Sequence, residues 1–242
     1  MTLLYCKDGL IGDFLGFVPV ITELAKQDEL HLVIHPESAA IFSLIPKKLN
    51  ISQQQPVHYN RILKLDAYEA CKISHIHNYY MSQAHFAYLG MPVPSIPPKA
   101  ELEYEAVDVA LFDYILAPFS RSLPSEQHWP KEQWQKLVDQ MPQYSFCIIG
   151  HERDDHHFIA GNNVTGMFNK PIVQIINVLK RARRGLISIV SGPSHLAFHL
   201  GVKNYLLTNQ QMTWGNNPDA IQVRDYLPAL TAERLSTILQ TF

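Results

Sequence analysis

The sequence has little of several features that mark whole classes of proteins. Its 242 residues include only three cysteines, and no two of them have the C-x-x-C spacing. This argues against a disulfide framework or a zinc ribbon and fits a reducing compartment. The formal net charge of −2 gives no electrostatic reason to expect a nucleic-acid partner. No apolar run approaches the roughly 20 residues of a membrane span, and the amino terminus shows no signal-peptide pattern. We therefore expect a soluble, cytoplasmic protein with at most peripheral membrane contact.

Short apolar runs alternate with helical patterns along almost the whole chain, in which 47% of the residues are hydrophobic. This alternation is typical of βα units and predicts an α/β protein with parallel sheets. In the first half, the predicted strands are residues 2–7, 29–35 and 72–77, and a helix follows the last of them to about Leu89. Pro19 interrupts the helical pattern between the first two strands, so that helix either begins near Gly16 or is kinked.

A proline-rich segment divides the sequence. Residues 90–98 include four prolines, which cannot continue a helix or enter the interior of a sheet. We place a domain boundary here and predict two domains, residues 1–95 and 96–242.

The second half has the clearer pattern. The predicted strands are residues 114–119, 144–150, a short run near Val164, 186–190 and 204–208. Helices are expected from Pro130, from Pro171 and from Thr231, with a further His- and Asp-rich helix after Gly150. Gly185 is expected just past the end of one helix and Gly201 at the end of another.

Two strand-to-helix turns carry candidate functional residues. The segment from Ser191 to His195 leads into a helix, where first-turn amides and the helix dipole suit a phosphate and Gly192 allows close approach. An ordinary turn with Ser191 as N-cap explains the same residues. Asp13 follows the first strand, where it would serve as a general base or merely cap the helix.

The loop of residues 120–130 lies beyond another predicted strand and contains Ser120 and Arg121. Arg121 is the best candidate for an anion contact because its planar guanidinium suits phosphate oxygens, although a polar surface loop anchored by Trp129 is the alternative. The twelve histidines include His75 and His77 on one face of a predicted strand, but no spacing matches a known metal site. The cations in residues 180–184 are interpreted as partners of a helix dipole.

Four motifs, in order, resemble those of the heptosyltransferase-like glycosyltransferases (glycosyltransferase family nine). Residues 12–19 (GDFLGFVP) resemble that family's G-D-x-L-x-x-x-P segment, and residues 128–134 (HWPKEQW) resemble its K-x-W-P-x-E-x-W segment. Residues 148–152 resemble its later strand with an acidic turn, and residues 191–197 (SGPSHLA) resemble its D-[ST]-G-x-x-H-[LA]-A motif. The resemblance explains the proline at position 19.

The resemblance implies a GT-B fold, in which two Rossmann-like domains with parallel sheets face a cleft. It implies metal-independent, inverting transfer of a sugar, typically a heptose, from a nucleotide-diphosphate donor to a glycan or glycolipid such as the lipopolysaccharide core, without a cofactor. The domain 1–95 would lie on the acceptor side, and the domain 96–242 would bind the nucleotide sugar. Asp13 would be the base, and the donor-binding residues would be Ser120, Arg121, Gln127, Glu152, Ser191, Gly192, Ser194 and His195.

The sequence departs from the family at three points. Gln127 and His128 stand where a cation usually precedes the W-P pair, Val190 replaces an acidic residue, and the chain is shorter than family members, mostly before residue 96. These departures keep other functions open. One is a non-catalytic protein that binds a nucleotide sugar or a partner protein. Another is an epimerase or hydrolase that acts on the nucleotide sugar itself.

Overall fold

A computed structural model describes residues 1–8, 10–53, 58–121, 123–124, 127–151, 159–208, 217–224 and 229–241. The chain divides into two compact units, one formed by Met1–Glu105 and one that begins at Ala106. Each unit is built around a parallel sheet, and helices form several of the connections between its strands. The predicted α/β class with parallel sheets is confirmed.

The first unit contains a four-stranded sheet with the order β3-β2-β1-β4. Its strands are β1 (Thr2–Asp8), β2 (Leu30–Ile34), β3 (Ile51–Ser52) and β4 (Arg61–Asp66). Its helices are α1 (Ile11–Ala25), α2 (Ala39–Phe42), α3 (Ala67–His77) and α4 (Met81–Tyr88), and a 3₁₀ turn covers Pro36–Ser38.

The second unit contains a six-stranded sheet with the order β10-β9-β8-β5-β6-β7. Its strands are β5 (Tyr114–Ala117), β6 (Phe146–Gly150), β7 (Val164–Phe168), β8 (Gly185–Ile189), β9 (Asn204–Leu207) and β10 (Ile221–Val223). Its helices are α5 (Lys131–Gln140), α6 (Ile172–Lys180), α7 (Gly192–Leu200) and α8 (Ala232–Thr241).

The apolar spacing of the second half determines how its helices pack. In α5, Trp134, Leu137 and Val138 are buried on one face, as their spacing predicts. Helix α8 packs against α5. Two buried aromatic side chains bind the C-terminal segment, because Trp129 Nε1 donates to the Leu230 carbonyl at 2.8 Å and the Tyr114 hydroxyl donates to the Leu239 carbonyl at 3.2 Å.

In each sheet, later strands are added first on one side of the starting strand and then on its other side. We call the boundary between these two groups of strands the strand reversal. In the first sheet the strand reversal lies between β1 and β4, and in the second sheet it lies between β5 and β8. In α/β sheets generally, the helices on the two sides of such a point leave toward opposite faces, and a crevice opens at the carboxyl ends of the strands. Ligands of α/β proteins bind preferentially at such points.

Several predictions for individual elements were wrong. Residues 72–77 belong to helix α3 rather than to a strand. That helix begins after Asp66, whose carboxylate accepts hydrogen bonds from the amides of Tyr68 and Glu69. His75 and His77 are therefore exposed helical residues two positions apart, and they do not share a face.

Two further corrections concern proline and glycine. Helix α1 begins at Ile11 rather than near Gly16 and contains Pro19, so the hydrogen-bond ladder lacks the amide at that position. Gly185 is the first residue of β8 rather than the end of a helix. Gly201 does end α7, in the left-handed conformation with φ of 66°. In the part of the chain that the structure describes, no helix is long and apolar enough to cross a membrane.

Candidate active site

Asp13 lies in the first turn of α1, directly beyond the carboxyl end of β1. Its Oδ2 atom accepts a hydrogen bond of 3.1 Å from the Leu10 amide, which precedes the helix. A carboxylate in the first turn also interacts favourably with the helix dipole. Asp13 therefore has a structural task, and it follows β1, one of the two strands at the strand reversal of the first sheet.

The surroundings of Asp13 make its carboxylate more basic than an exposed one. Burial raises the pKa of Asp13, and the hydrogen bond from the Leu10 amide opposes this rise without cancelling it. The thiol of Cys71 on α3 is close enough that the Asp13 charge, added to burial, raises the Cys71 pKa to about 11. A carboxylate whose pKa is raised by burial is a stronger base than an exposed one, which suits general-base chemistry.

The turn from Ser191 to His195 connects β8 to α7 at the strand reversal of the second sheet. The Ser191 amide donates to Ser194 Oγ at 3.0 Å, and Ser194 Oγ donates to the Ser191 carbonyl at 2.7 Å. Ser191 Oγ donates to the Ile189 carbonyl at 3.1 Å. Both hydroxyl protons are thus used inside the turn, and neither serine is available as a hydroxyl donor to a ligand in this arrangement.

The backbone of this turn is partly used as well. The amides of Ser194 and His195 both donate to the Ser191 carbonyl, at 3.0 and 3.2 Å, and Pro193 has no amide proton. Gly192 is the first residue of α7, and an amide at that position has no partner within its own helix. An anion bound here would therefore meet the Gly192 amide and the positive end of the helix dipole.

His195 is buried one turn into α7. Burial lowers its pKa to about 4, so the imidazole is neutral at physiological pH. It can exchange hydrogen bonds with a ligand but cannot supply a positive charge. Val190, which stands where the resembled family has an acidic residue, is 3% exposed and belongs to the hydrophobic core of the second unit.

The loop after β5 lies beside this turn, because β5 and β8 are hydrogen-bonded neighbours with Ala117 opposite Ser188. Ser120 is buried, and its carbonyl accepts a 3.0 Å hydrogen bond from His128 Nε2, which assigns the proton to that nitrogen. The His128 ring also contacts Phe119 edge-on at 5.0 Å between centroids. His128 therefore cross-links two parts of this loop, through Ser120 and Phe119.

The remaining predicted residues of this loop differ in exposure. Arg121 is exposed, and Gln127 is half-buried with its amide donating to the Pro124 carbonyl at 2.9 Å. Trp129 is 2% exposed and anchors the loop to the core, as the alternative interpretation of the loop expected. The structure therefore brings Ser120, Arg121 and Gln127 to the same sheet edge as Gly192, while Glu152 lies outside the described residues.

Among the described residues, no group of three His, Cys, Asp or Glu side chains is placed to hold a metal ion. His151 is exposed and its Nδ1 atom lies 3.0 Å from Asn169 Oδ1. His156 and His157 lie outside the described residues.

Comparison with known proteins gives a result for the fold only. No protein-family model matches the chain. No curated protein matches it by sequence. Solved structures do match: a glycosyltransferase family 9 protein of Veillonella parvula has a TM-score of 0.72 and 13% identity, covering 100% of this chain and 97% of that one.

Two further matches are enzymes from E. coli. The heptosyltransferase WaaC with ADP has a TM-score of 0.68 and 14% identity, covering 100% of this chain and 97% of that one. The iron-containing dodecameric glycosyltransferase TibC of enterotoxigenic E. coli has a TM-score of 0.71 and 15% identity, covering 99% of this chain and 74% of that one. The chain therefore has the GT-B-like fold of heptosyltransferases, as predicted.

Proposed function

We propose that the protein is a glycosyltransferase that moves a sugar, with a heptose as the candidate, from a nucleotide-diphosphate donor to a glycan or glycolipid acceptor. The observation that carries the proposal is the kind of group found beside each of the two strand reversals. The first has Asp13, a carboxylate of raised pKa. The second has the amino terminus of α7, where the Gly192 amide has no partner within its own helix. These parts occur in a fold for which WaaC has been solved with ADP and with ADP-2-deoxy-2-fluoro heptose.

In the proposed reaction, an acceptor hydroxyl attacks the anomeric carbon of the donor sugar. Asp13 takes the hydroxyl proton while the new carbon–oxygen bond forms. The bond from the anomeric carbon to the diphosphate breaks, and the nucleoside diphosphate leaves with its electron pair. A single displacement with one base and no covalent intermediate inverts the anomeric configuration.

The donor half of the site would stabilise the leaving group. The Gly192 amide and the dipole of α7 face the charge that develops on the diphosphate, and Arg121 adds a guanidinium at the same sheet edge. We assign the contacts of Ser120, Gln127 and Glu152 to the donor as well, with Glu152 at the nucleoside. Ser191 and Ser194 hold the turn, and neutral His195 accepts or donates a hydrogen bond.

The proposed chemistry needs no metal, because amides, a helix dipole and a guanidinium supply the positive charge. TibC is described as iron-containing, so metal dependence is a property to measure for this chain. Turnover that is unchanged after treatment with a chelator supports the proposal. Turnover that is lost with the chelator and restored by a divalent cation contradicts this part of it.

The function is tested by binding first and by turnover second. A thermal-shift series with ADP, UDP, GDP and CDP should show stabilisation by one of them, because a ligand that binds only the native state raises stability. ADP-heptose is then supplied with lipopolysaccharide-core oligosaccharides, and release of ADP is measured with and without the acceptor. Release that depends on the acceptor supports a transferase, whereas equal release without acceptor indicates a hydrolase.

A non-catalytic binder is the second candidate, and two observations favour it. Val190 is part of the core where the resembled family has an acid, and both serine hydroxyls of the donor turn are used internally. A non-catalytic binder would be stabilised by the nucleotide, but it would release no ADP from ADP-heptose with any acceptor. It would also have no use for the carboxylate of Asp13.

A further inference from the structure

The amino-terminal edge of the second sheet carries a pocket that the proposed function does not use. The cavity has a volume of about 420 Å³ and is lined by Asp113, Arg183, Arg184, Lys203 and Tyr205. Asp113, Arg184 and Lys203 immediately precede the strands β5, β8 and β9. The candidate donor turn follows the opposite ends of the same strands. A strand of four or five residues separates the two edges by about 15 Å.

Backbone hydrogen bonds fix the three chain segments that form this pocket. The amides of Arg183 and Arg184 donate to the carbonyls of Phe112 and Asp113, at 3.0 and 2.8 Å. The Leu186 amide donates to the Lys203 carbonyl at 2.9 Å. Between them, Gly185 has φ of +121°, and a Cβ atom there would lie 2.4 Å from the Lys203 carbonyl oxygen. Glycine at this position allows the two basic segments to lie side by side.

Two of the three exposed cations, Arg184 and Lys203, lie against aromatic rings. The Arg184 guanidinium lies 4.6 Å from the centroid of the Tyr144 ring, and it interacts electrostatically with the hydroxyl of buried Tyr114. That hydroxyl in turn donates to the Leu239 carbonyl. Lys203 Nζ lies 5.1 Å from the centroid of the Tyr205 ring. Side chains held this way lose little conformational entropy when a ligand binds.

Charge in the pocket is unbalanced, because three cations face one carboxylate. Asp113 Oδ2 accepts two hydrogen bonds from Ser145, at 2.8 Å from its amide and 2.9 Å from its hydroxyl. Asp113 Oδ1 is 3.8 Å from Arg183 Nη1, which is beyond hydrogen-bond distance. The carboxylate is therefore engaged mainly by Ser145, and a net positive potential remains.

The sequence-based interpretation of these cations holds for only part of the segment. Lys180 lies in the last turn of α6 and donates to the Leu200 carbonyl at 3.2 Å. Arg181 forms an ion pair with Asp108. Arg183 and Arg184 lie beyond the helix end and line the pocket instead, so the helix dipole does not explain them.

We propose that this pocket is a second anion site, which binds a phosphomonoester or diphosphate group. Two guanidinium groups and an ammonium match an anion that carries two or more negative charges, and the guanidinium fork suits phosphate oxygens in particular. The volume leaves room for an organic group attached to the phosphate. That group is either a soluble metabolite or a lipid headgroup, since both present the same phosphoryl chemistry.

The test measures binding of inorganic pyrophosphate in a protein whose proposed donor site is impaired. Gly192→Val is made in every protein, and pyrophosphate affinity is measured by isothermal titration calorimetry. Arg184→Gln and Lys203→Gln are each expected to weaken binding by about tenfold or more, because each removes a charge-assisted bond. Arg181→Gln is the matched control: it removes the same charge from the same segment but lies outside the pocket. It should leave the affinity within about twofold.

Two further measurements test whether binding depends on charge and whether the ligand is a lipid headgroup. Binding by the parent should weaken as salt is raised, because the site acts through charge. Vesicles of phosphatidylcholine with phosphatidic acid should compete with pyrophosphate if the ligand is a lipid headgroup, and should not compete if it is soluble. The Lys203→Gln variant keeps the Arg184–Tyr114 contact, so it tests the site even if Arg184→Gln does not fold.

The proposal is overturned if the Gly192→Val parent binds no pyrophosphate, or if Arg181→Gln weakens binding as much as Lys203→Gln does. It is also overturned if polyglutamate of equal charge competes as well as pyrophosphate, because the surface would then be an unspecific basic patch or a site for acidic peptides. Failure of the transferase proposal is a separate result, since it is read from nucleotide binding and ADP release in the protein that retains Gly192.

Discussion

Substitution of Asp13 by asparagine separates the two tasks that the structure gives to this carboxylate. Asparagine keeps the size and an acceptor oxygen for the Leu10 amide, which lies 3.1 Å from Asp13 Oδ2. It removes the negative charge and the ability to take a proton. Loss of a general base costs about 10²–10⁴-fold in rate, which corresponds to roughly 3–5 kcal/mol of transition-state stabilisation. We therefore expect turnover with ADP-heptose and acceptor to fall at least a hundredfold, while the affinity for ADP stays unchanged.

Asp13→Asn is expected to lower turnover but not to lower the free energy of unfolding at neutral pH. Because burial raises the pKa of Asp13 above its unfolded value of 3.8, the ionised carboxylate is less stable in the folded protein than in the unfolded chain. This penalty is absent below pH 3.8, grows as the pH rises through the folded pKa, and is complete above it. Asp13→Asn is therefore expected to match or exceed the wild type in free energy of unfolding at pH 7, and to lose that advantage in acid. Urea denaturation at several pH values measures it.

Asp13→Ala is the control for the structural task. It leaves the Leu10 amide without its acceptor, which costs about 1 kcal/mol, so this variant should be less stable than Asp13→Asn while losing a similar amount of activity. The reasoning is refuted if Asp13→Asn turns over at a normal rate with a true acceptor. It is also refuted if Asp13→Asn is as unstable as Asp13→Ala, because the carboxylate would then act chiefly as a helix cap.

Five other substitutions test the donor site and two glycines of positive φ. Gly192→Val should weaken ADP binding by far more than it lowers stability, because a side chain there blocks approach to the amide; equal affinities in calorimetry would remove this turn from the site. Gln127→Lys should tighten ADP binding by about 1 kcal/mol at low salt, and less at high salt. If Arg121 already fills that role, Arg121→Ala weakens binding instead, and no effect from either means that the loop does not face the diphosphate. Gly185→Ala should lower the free energy of unfolding by more than about 2 kcal/mol, because φ is +121° and the Cβ meets the Lys203 carbonyl. Gly90→Ala, with φ of +67° and no atom within 4 Å, should cost only about 1 kcal/mol, and equal losses in thermal unfolding would contradict the collision.

Most elements of the second half could be predicted because they are specified by nearby residues, whereas the short strand β10 was missed. The apolar stripe of α5, the proline before α6 and the left-handed Gly201 after α7 are local signals, and the structure agrees with all three. The strand β4 was missed because it is the edge of its sheet and its exposed positions carry Arg61, Ile62 and Lys64 rather than a continuous apolar run. Helix α3 was predicted as a strand because its apolar face is short, with only three buried residues.

The candidate site could be predicted residue by residue but not as an arrangement. Motif resemblance pointed to Asp13, Arg121 and Gly192, and the structure places each of them beyond the carboxyl end of a strand next to a strand reversal. The strand order itself is set by packing between distant segments, and no local pattern contains it. The same holds for the hydrogen bonds that engage the hydroxyls of Ser191 and Ser194, which require the folded turn.

The pocket residues that could not be predicted from the sequence also come together only through packing between distant segments. Arg184 and Lys203 are separated by eighteen intervening residues and meet only because β8 and β9 are adjacent in the sheet. Within a single segment, a run of cations next to a helix end is explained equally well by the dipole. The distinguishing signal was Gly185, the first residue of β8 and the neighbour of Arg184, since a glycine there marks a close approach of two backbones.

The two hydrogen bonds from Trp129 and Tyr114 to the C-terminal segment have a consequence for biosynthesis. Their partners lie 101 and 125 residues further along the chain, at Leu230 and Leu239. At a translation rate of about 5–20 residues per second, Trp129 waits roughly 5–20 s for its acceptor. A nascent chain that ends at Leu207 already contains β5 to β9, yet it lacks both acceptors and the helix α8 that covers α5. Closure of the second unit around Trp129 and Tyr114 therefore waits until α8 has been synthesised, well after β5 to β9 are complete.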